Sequence, residues 1–369
     1  MKFSAIAGQD KAKNVLRRMI VQRKMPDCLL LSGPSGVGTL PLAIAAAHGL
    51  VCNQPQDGEA CGQCSPCGRS FHHLHPDVHF SFPTTGKDVL SDALLPTWRE
   101  MLLRKPYLTR NDWVGEIASE NQQANINKEE CFSIRRKLQL TCAEASVKVM
   151  IIWLPEYLGK EGNRLLKILE DPPPSAHFIL VSEQPDQMLP TILSRCQVIR
   201  VPPIPDEVLS ETLSKQFPDA SARERETAVM LAGGSLAEAL HGMESQEDIH
   251  AGLLVEWMRR CYKGNGLEMS LWVDEVTQWS REKQKIFIKY SLQFFRSLLV
   301  LPHLGAEKSG FTVDLLPTAE KLRLVLSGEA LETMSRKVEE SATHLERNAN
   351  PKIIFLTLSI SFHQIMQRK

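Results

Sequence analysis

The sequence predicts an α/β fold, a parallel sheet covered by helices, up to about Pro205 and an all-helical remainder. Three observations carry this reading. Short apolar runs recur with helical stretches between them: "CLLLS" from Cys28, "KVMIIWL" at 148–154, "HFILVSE" at 177–183 and a shorter run in "CQVIRVPP" at 196–203. Continuous apolar strands of this kind belong in a parallel sheet with both faces buried. The first run passes through a glycine-rich turn, "GPSGVG", into the Ala-rich "PLAIAAAHGLV", which is the strand–loop–helix order of a phosphate-binding unit. Beyond Pro205 strand signals nearly vanish and helical periodicity takes over.

Taken in order, residues 9–24 carry apolar side chains at helical spacing, with Ala12, Val15, Leu16, Met19 and Ile20 on one face. Pro41 falls in the first turn of the helix after the glycine loop, where its missing N–H does no harm. "EGNRLLKILED" at 161–171 reads as a helix stopped by the prolines at 172–174. Residues 206–242 read as short helices around "LAGGSLAEAL", and 246–369 as longer ones with apolar faces in "KQKIFIKYSLQFFRSLLVLPHL" and "NPKIIFLTLSISFHQIM". Ser81 to Asn127 is irregular, and its Trp98, Trp113 and prolines suggest an insertion packed on the core. Three domains are expected.

Composition excludes several classes. Lys plus Arg equals Asp plus Glu at 43 each, so no net field draws in nucleic acid or an anionic membrane. Hydrophobic residues at 43% and charged residues at 23% describe a globular chain and argue against disorder. The opening "MKFSAIAGQDKAKNVLRRMI" lacks the apolar core of a secretory signal, and no run is long enough to span a membrane, so a cytoplasmic protein is expected.

Two motifs carry chemistry. Gly33 and Gly38 stand at the separation of the pattern G-x-x-x-x-G-K-[ST], but Thr39 and Leu40 occupy the Lys and Ser/Thr places. Thr39 cannot neutralise a phosphate and Leu40 cannot offer a hydroxyl to magnesium, so nucleotide binding is expected to be weak or lost. Backbone N–H groups at the helix terminus would still favour an anion. Cys52, Cys61, Cys64 and Cys67, spaced C-x8-C-x2-C-x2-C in a polar stretch, are expected to hold a structural Zn²⁺. Four sulfurs fill a tetrahedron and leave no position for a catalytic water; His72, His73, His75 and His79 are then surplus as ligands.

The degenerate loop, the cysteine quartet, "LHPD" at 74–77, "RLLKILEDPP" at 164–173 and "LPTILSRCQVIRVPP" at 189–203 together resemble the AAA+ clamp-loader subunits of bacterial DNA polymerase III. "NANPKIIFLTL" looks like the last helix of that family, so the likeness extends over nearly the whole chain, least well over Ser81 to Asn127. The departures in the nucleotide site look like the delta-prime branch. The resemblance implies three parts: an AAA+ domain at 1–203 with a zinc module at about 50–72, a helical lid at 204–245 and a helical collar at 246–369. It puts Trp153 and Leu154 where an active ATPase carries its Asp and Glu, with Glu156 beyond them, and Ala237 where an arginine meets the nucleotide. Ser182 stands where a polar residue would meet the terminal phosphate, and a turn or strand-end role suits it better here. It also implies that Arg195 of "SRC" is an arginine finger acting in trans on a neighbour, a role for which a fixed guanidinium is suited.

On that reading the partners are ATPase subunits and a delta subunit in a hetero-oligomeric ring. The sliding clamp and primer-template DNA would be reached through the assembly, and no membrane is involved. A self-sufficient AAA+ ATPase of DNA repair or recombination is the alternative, although Ser35 to Ala43 contain no cation to replace the lysine. A zinc-dependent enzyme or a zinc-ribbon nucleic-acid binder is a third, disfavoured by the complete Cys set and the neutral charge.

Overall fold

The computed structural model describes residues 1–86, 88–117, 124–244, 250–279, 281–304, 311, 316–346 and 349–367. The chain divides into two compact units, Met1–Thr212 with Gly234–Ala237, and Leu213–Gly233 with Glu238–Lys369.

The first unit is built on five parallel strands: β1 (Cys28–Ser32), β2 (Val78–Ser81), β3 (Lys148–Trp153), β4 (Ala176–Ser182) and β5 (Gln197–Arg200). Their order across the sheet is β2–β3–β4–β1–β5. Alternation of side chains along each strand sorts the apolar runs onto two faces. Leu29, Leu31, Val149, Ile151, Ile179 and Val181 enter one core, and Leu30, Met150, Ile152, Phe178 and Leu180 enter the other. Burial of each such side chain contributes about 1.5–3 kcal/mol, which is why uninterrupted apolar runs are needed here. This is the helix-covered parallel sheet of an AAA+-type core that the sequence predicts, followed by an all-helical region.

The helices of this unit are α1 (Asp10–Val21), α2 (Thr39–Val51), α3 (Ser65–Phe71), α4 (Leu95–Arg104), α5 (Arg110–Ile117), α6 (Lys128–Gln139), α7 (Leu166–Glu170) and α8 (Pro190–Leu193), with α9 (Asp206–Gln216) running out of it. Nearly every side chain of α2 is buried, as an all-round apolar helix requires. On α1 the buried face is Ala12, Lys13, Leu16 and Ile20, whereas Val15 is 38% exposed. The expected stripe is therefore rotated, because Lys13 is held inside by donating from Nζ to Ile6 O at 2.6 Å. Residues 161–171 are not one helix either. A 3₁₀ stretch, Pro155–Leu165, bends at Gly159 (φ 48°, ψ −134°) before the short α7. Strand β2 escapes sequence reading because four residues alternating Val, His, Phe, Ser give too brief a signal.

The segment beyond β2 packs on the core through aromatics, as Trp98 and Trp113 suggest. Trp98 stacks on Phe82 at 4.2 Å and meets Trp113 and Trp153 edge-on or tilted at 5.0 and 5.1 Å. Trp113 Nε1 donates to Pro83 O at 2.7 Å, so its one polar atom is satisfied inside. Residue 87 and residues 118–123 of this segment lie outside the described residues.

The second unit holds α10 (Ala222–Ala232), most of α11 (Leu236–Glu244), α12 (His250–Lys263), α13 (Gly266–Thr277), α14 (Arg281–Leu304), α15 (Leu316–Val325), α16 (Gly328–Glu346) and α17 (Pro351–Gln367). Its core gathers Trp257, Trp272, Phe287, Phe294, Phe355 and Phe362. Trp257 lies parallel to Trp272 with ring centres 4.9 Å apart and donates from Nε1 to Ser359 Oγ at 2.8 Å. Among the described residues no helix is long and apolar enough to cross a membrane.

Candidate functional site

The carboxyl edge of the sheet gathers the loop after β1 and the turns after β3 and β4. Gly33 N donates to Ser182 O at 3.2 Å, and a Cβ at Gly33 would lie 2.3 Å from Val201 O, so only glycine fits there. Gly38 adopts φ +102° and accepts from Leu42 N at 3.0 Å, opening α2 with its N-terminal N–H groups toward the loop. The backbone of the cradle is therefore built, with Thr39 and Leu40 in the Lys and Ser/Thr places. Thr39 and Leu40 are 5% and 2% exposed, and Leu40 is part of the main apolar core.

The loop is also closed from outside itself. Gly36 O accepts from Leu236 N at 3.0 Å and Ala237 N at 3.4 Å, so the first amides of α11 bond to the loop's own carbonyl. A Cβ at Gly36 would lie 2.2 Å from Ser235 Oγ and 2.6 Å from Ala237 Cβ. Ala237, the residue in the arginine place, is packed against the loop by its methyl group. Trp153 and Leu154, in the Asp and Glu places, are likewise core residues, each 1% exposed.

Two carboxyls stand near the loop, with the Arg110 guanidinium close enough to act on one of them. Burial pushes the Glu183 carboxyl up to about 7, where it hydrogen-bonds Ser35 of the loop. Burial also raises Glu156, whose Oε1 accepts from Glu183 N at 3.1 Å and Gln184 N at 3.2 Å. Glu156 thus ties the end of β3 to the end of β4. Ser182 ends β4 and is wholly buried. No sequence pattern places Glu183 beside Ser35.

The cysteine quartet lies between α2 and α3. Cys52 ends α2, Cys64 precedes α3 and Cys67 sits within it. The four Sγ atoms all lie within 4.8 Å of one another, with Cys52–Cys64 at 3.8 Å and Cys61–Cys67 at 3.9 Å. Four sulfurs each about 2.3 Å from a zinc ion stand about 3.8 Å apart at tetrahedral angles, so this donor set fits the metal. Cys61 N donates to Cys52 Sγ at 3.3 Å. Backbone N–H groups of Gln63 and Cys64 hold the Cys61 thiol down at about 6, while burial pushes Cys52 and Cys67 up. Bound cation would favour the thiolates throughout. Among the described residues no histidine joins this group. His75 instead accepts from Asp77 N on Nδ1 at 3.1 Å, and His73 packs edge-on against Phe80 at 6.0 Å.

Asp77 shows what "LHPD" does. Its carboxylate accepts from Ala143 N at 2.7 Å and from Glu144 N and Ala145 N at 2.8 Å, pinning the approach to β3. Burial opposes ionisation, and the three N–H groups outweigh it, leaving the carboxyl below its ordinary 3.8.

Arg195 lies at the other edge of the sheet. It follows α8 and precedes β5, whose Gln197 is paired with Leu29 near the start of β1. In that register Arg195 falls opposite Asp27, six residues and roughly 20 Å of strand from Gly33. Its own loop is out of reach. The guanidinium donates from Nη2 to Glu170 Oε2 at 3.1 Å and from Nη1 to Thr191 O at 2.9 Å. Glu170, twenty-five residues earlier, was not foreseen as its partner. The structure thus keeps Gly33, Gly38 and Thr39 together, brings the four cysteines together, and puts Arg195 toward the opposite end of β1 from the loop.

The family described as "DNA polymerase III, delta subunit" matches residues 8–205, more than half of the chain. The chain belongs to this family. It is 32% identical over 237 residues to a DNA polymerase III subunit delta-prime of Pseudomonas aeruginosa, covering 63% of this chain and 61% of that one. The corresponding Escherichia coli subunit is 27% identical, over 58% of this chain and 53% of its own. The chain thus spans less than two thirds of these two relatives in the match. A Bacillus subtilis delta-prime subunit is 22% identical over 93% of this chain and 92% of its own length. These DNA polymerase III relatives agree with the clamp-loader resemblance drawn from the motifs.

Proposed function

We propose that this chain is a non-hydrolysing, delta-prime-type subunit of a bacterial replicative clamp loader. In that role it holds a place in a hetero-oligomeric ring with ATPase subunits and a delta subunit, and offers Arg195 to the ATP site of a neighbour. Loading of the sliding clamp at primer-template DNA is then a property of the assembly. The lid at 204–245 and the collar at 246–369 are the parts of this chain assigned to that architecture; residues 245–249 lie outside the described ones.

One observation carries the reading. The phosphate loop and the arginine stand at opposite edges of one sheet, with the loop filled by Thr39, Leu40 and the Ser235–Ala237 segment. A loop without its cation, faced by Glu183 and Glu156, keeps only backbone N–H groups to stabilise charge on a transferred phosphoryl group. An arginine too distant to serve its own loop is free to serve the loop of another chain. Its pairing with Glu170 keeps the guanidinium on the surface of the free chain, and a phosphate would have to displace that carboxylate. The cysteines 52, 61, 64 and 67 would hold zinc as a brace between α2 and α3, with no part in the chemistry.

The test is a loader reconstituted from this chain and its own ATPase and delta partners, with Arg195→Ala beside the parent. Assembly on a sizing column should be intact. An arginine finger contributes about three to five orders of magnitude at the site it serves, so that site's share of ATP turnover should disappear. Equal turnover in an intact assembly refutes the role, and turnover by the isolated chain refutes the inert loop.

A further inference from the structure

Outside the quartet the chain has five cysteines, and two of them meet. Cys28 Sγ and Cys196 Sγ are 2.9 Å apart, although 168 residues separate them. The cause is the sheet: β1 and β5 pair in parallel with Leu29 opposite Gln197, so one step back places Cys28 opposite Cys196. Neighbouring strands lie about 4.8 Å apart. That falls within the Cα separation of about 4.4–6.8 Å that a disulfide requires. The sulfurs are closer than carbon atoms pack, about 3.5 Å, although sulfur is larger. Contrast the quartet, whose sulfurs at 3.8 and 3.9 Å are spaced to share an ion. No further ligand joins Cys28 and Cys196 among the described residues, so this pair is not a metal site.

The surroundings divide the labour between the two. Cys28 is 2% exposed, whereas Cys196 is half-buried. Cys28 and the residues on either side of Cys196 line a surface cavity of about 450 Å³, with Asp27, Glu170, Ser194, Arg195 and Gln197 among its walls. The contact between the two sulfurs pushes the Cys28 thiol up and holds Cys196 down. While protonated, Cys196 itself donates to Ile192 O at 3.2 Å. A lowered, half-buried thiol beside a fully buried one is the arrangement of an attacking and a resolving cysteine.

We propose that Cys28 and Cys196 form a reversible dithiol–disulfide pair, a modification site in the turn that carries Arg195, oxidised by a small-molecule disulfide such as glutathione disulfide. Cys196, as thiolate, attacks one sulfur of the small disulfide, forming a mixed disulfide and releasing one thiolate, which takes up the proton Cys196 lost. Cys28 then gives up its proton and attacks Cys196 Sγ; the protein disulfide forms and the second small thiolate leaves with that proton. Two protein thiols are oxidised and one small disulfide is reduced to two thiols. The bond fixes β1 to the residue after Arg195. A transient bond of this kind is the form disulfides take in reducing compartments. None of this depends on what Arg195 does.

The full chain, loaded with zinc, is incubated with glutathione disulfide, alkylated, digested and mapped by mass. The expected product is a Cys28–Cys196 linked peptide that lacks two hydrogens and is lost on reduction, with Cys131, Cys142 and Cys261 alkylated. In Cys28→Ser the reaction should stop at a glutathione adduct on Cys196. Complete alkylation of both cysteines in the parent chain overturns the proposal. So does a lasting adduct on Cys196 while Cys28 is alkylated. Because the first readout needs no variant, a misfolded Cys28→Ser leaves the test intact.

Discussion

Asp77→Asn removes one charge and reverses one hydrogen-bond polarity at a site whose three partners are all donors. In the parent, Oδ2 accepts from Glu144 N and Ala145 N, and Oδ1 accepts from Ala143 N. Asparagine has a single oxygen. If it keeps the pair at Glu144 and Ala145, its amide group faces the Ala143 N–H donor to donor. The loss is one charge-assisted bond, about 1.5–3 kcal/mol, because Ala143 is exposed and water can take up its freed N–H. About 1.5–3 kcal/mol is therefore the expected fall in unfolding free energy, a sizeable part of the stability of a typical domain. Urea unfolding of the full chain at pH 7 measures it. The pH dependence gives a second check: because the folded-state pKa lies below the ordinary 3.8, the stabilisation is complete above that value and is lost as pH falls through the folded one. The gap between parent and variant should therefore close in acid. A variant within 1 kcal/mol of the parent at pH 7, on the scale of an ordinary neutral hydrogen bond, refutes the reasoning. So does a gap that survives complete protonation.

Glu183→Gln tests the electrostatics of the loop. The carboxyl rises from 4.5 to about 7 on folding, and at 1.36 kcal/mol per pKa unit its ionisation costs the folded state roughly 3 kcal/mol. The parent should lose this stability as pH climbs from 4.5 through about 7, so the variant should be the more stable chain at pH 8 and nearly equal at pH 4.5; a difference independent of pH contradicts it. Metal analysis of the purified chain should find about one zinc, held by the four thiolates. Cys64→Ser should lower that content and the melting temperature together, while a parent chain that stays folded and takes up no zinc removes the site.

The parts of the molecule that were legible in the sequence are those whose partners are near in the chain or whose burial is complete. The cysteine quartet lies within sixteen residues, so spacing alone announces a tetrahedron, and the sulfurs at 3.8 and 3.9 Å agree with it. Strands β1, β3 and β4 are buried on both faces and could only be apolar runs, whereas β2 alternates and is short. Spacing failed where a distant backbone decides. Val15 was placed on the buried stripe of α1 because nothing in a helical pattern says that Lys13 will find the Ile6 carbonyl. The closure of the loop by Leu236 and Ala237 joins residues two hundred positions apart, and the hydrogen-bonding atoms are backbone, which no side-chain pattern records. Asp77 likewise meets the backbone of residues 143–145, and the Glu170–Arg195 pair joins two side chains that no spacing rule connects. A degenerate motif can therefore be read as a loss from sequence, but what replaces the lost chemistry is a tertiary fact. Here a methyl group at Ala237 and a carboxyl at Glu183 stand around the loop, and neither could be placed there from the sequence.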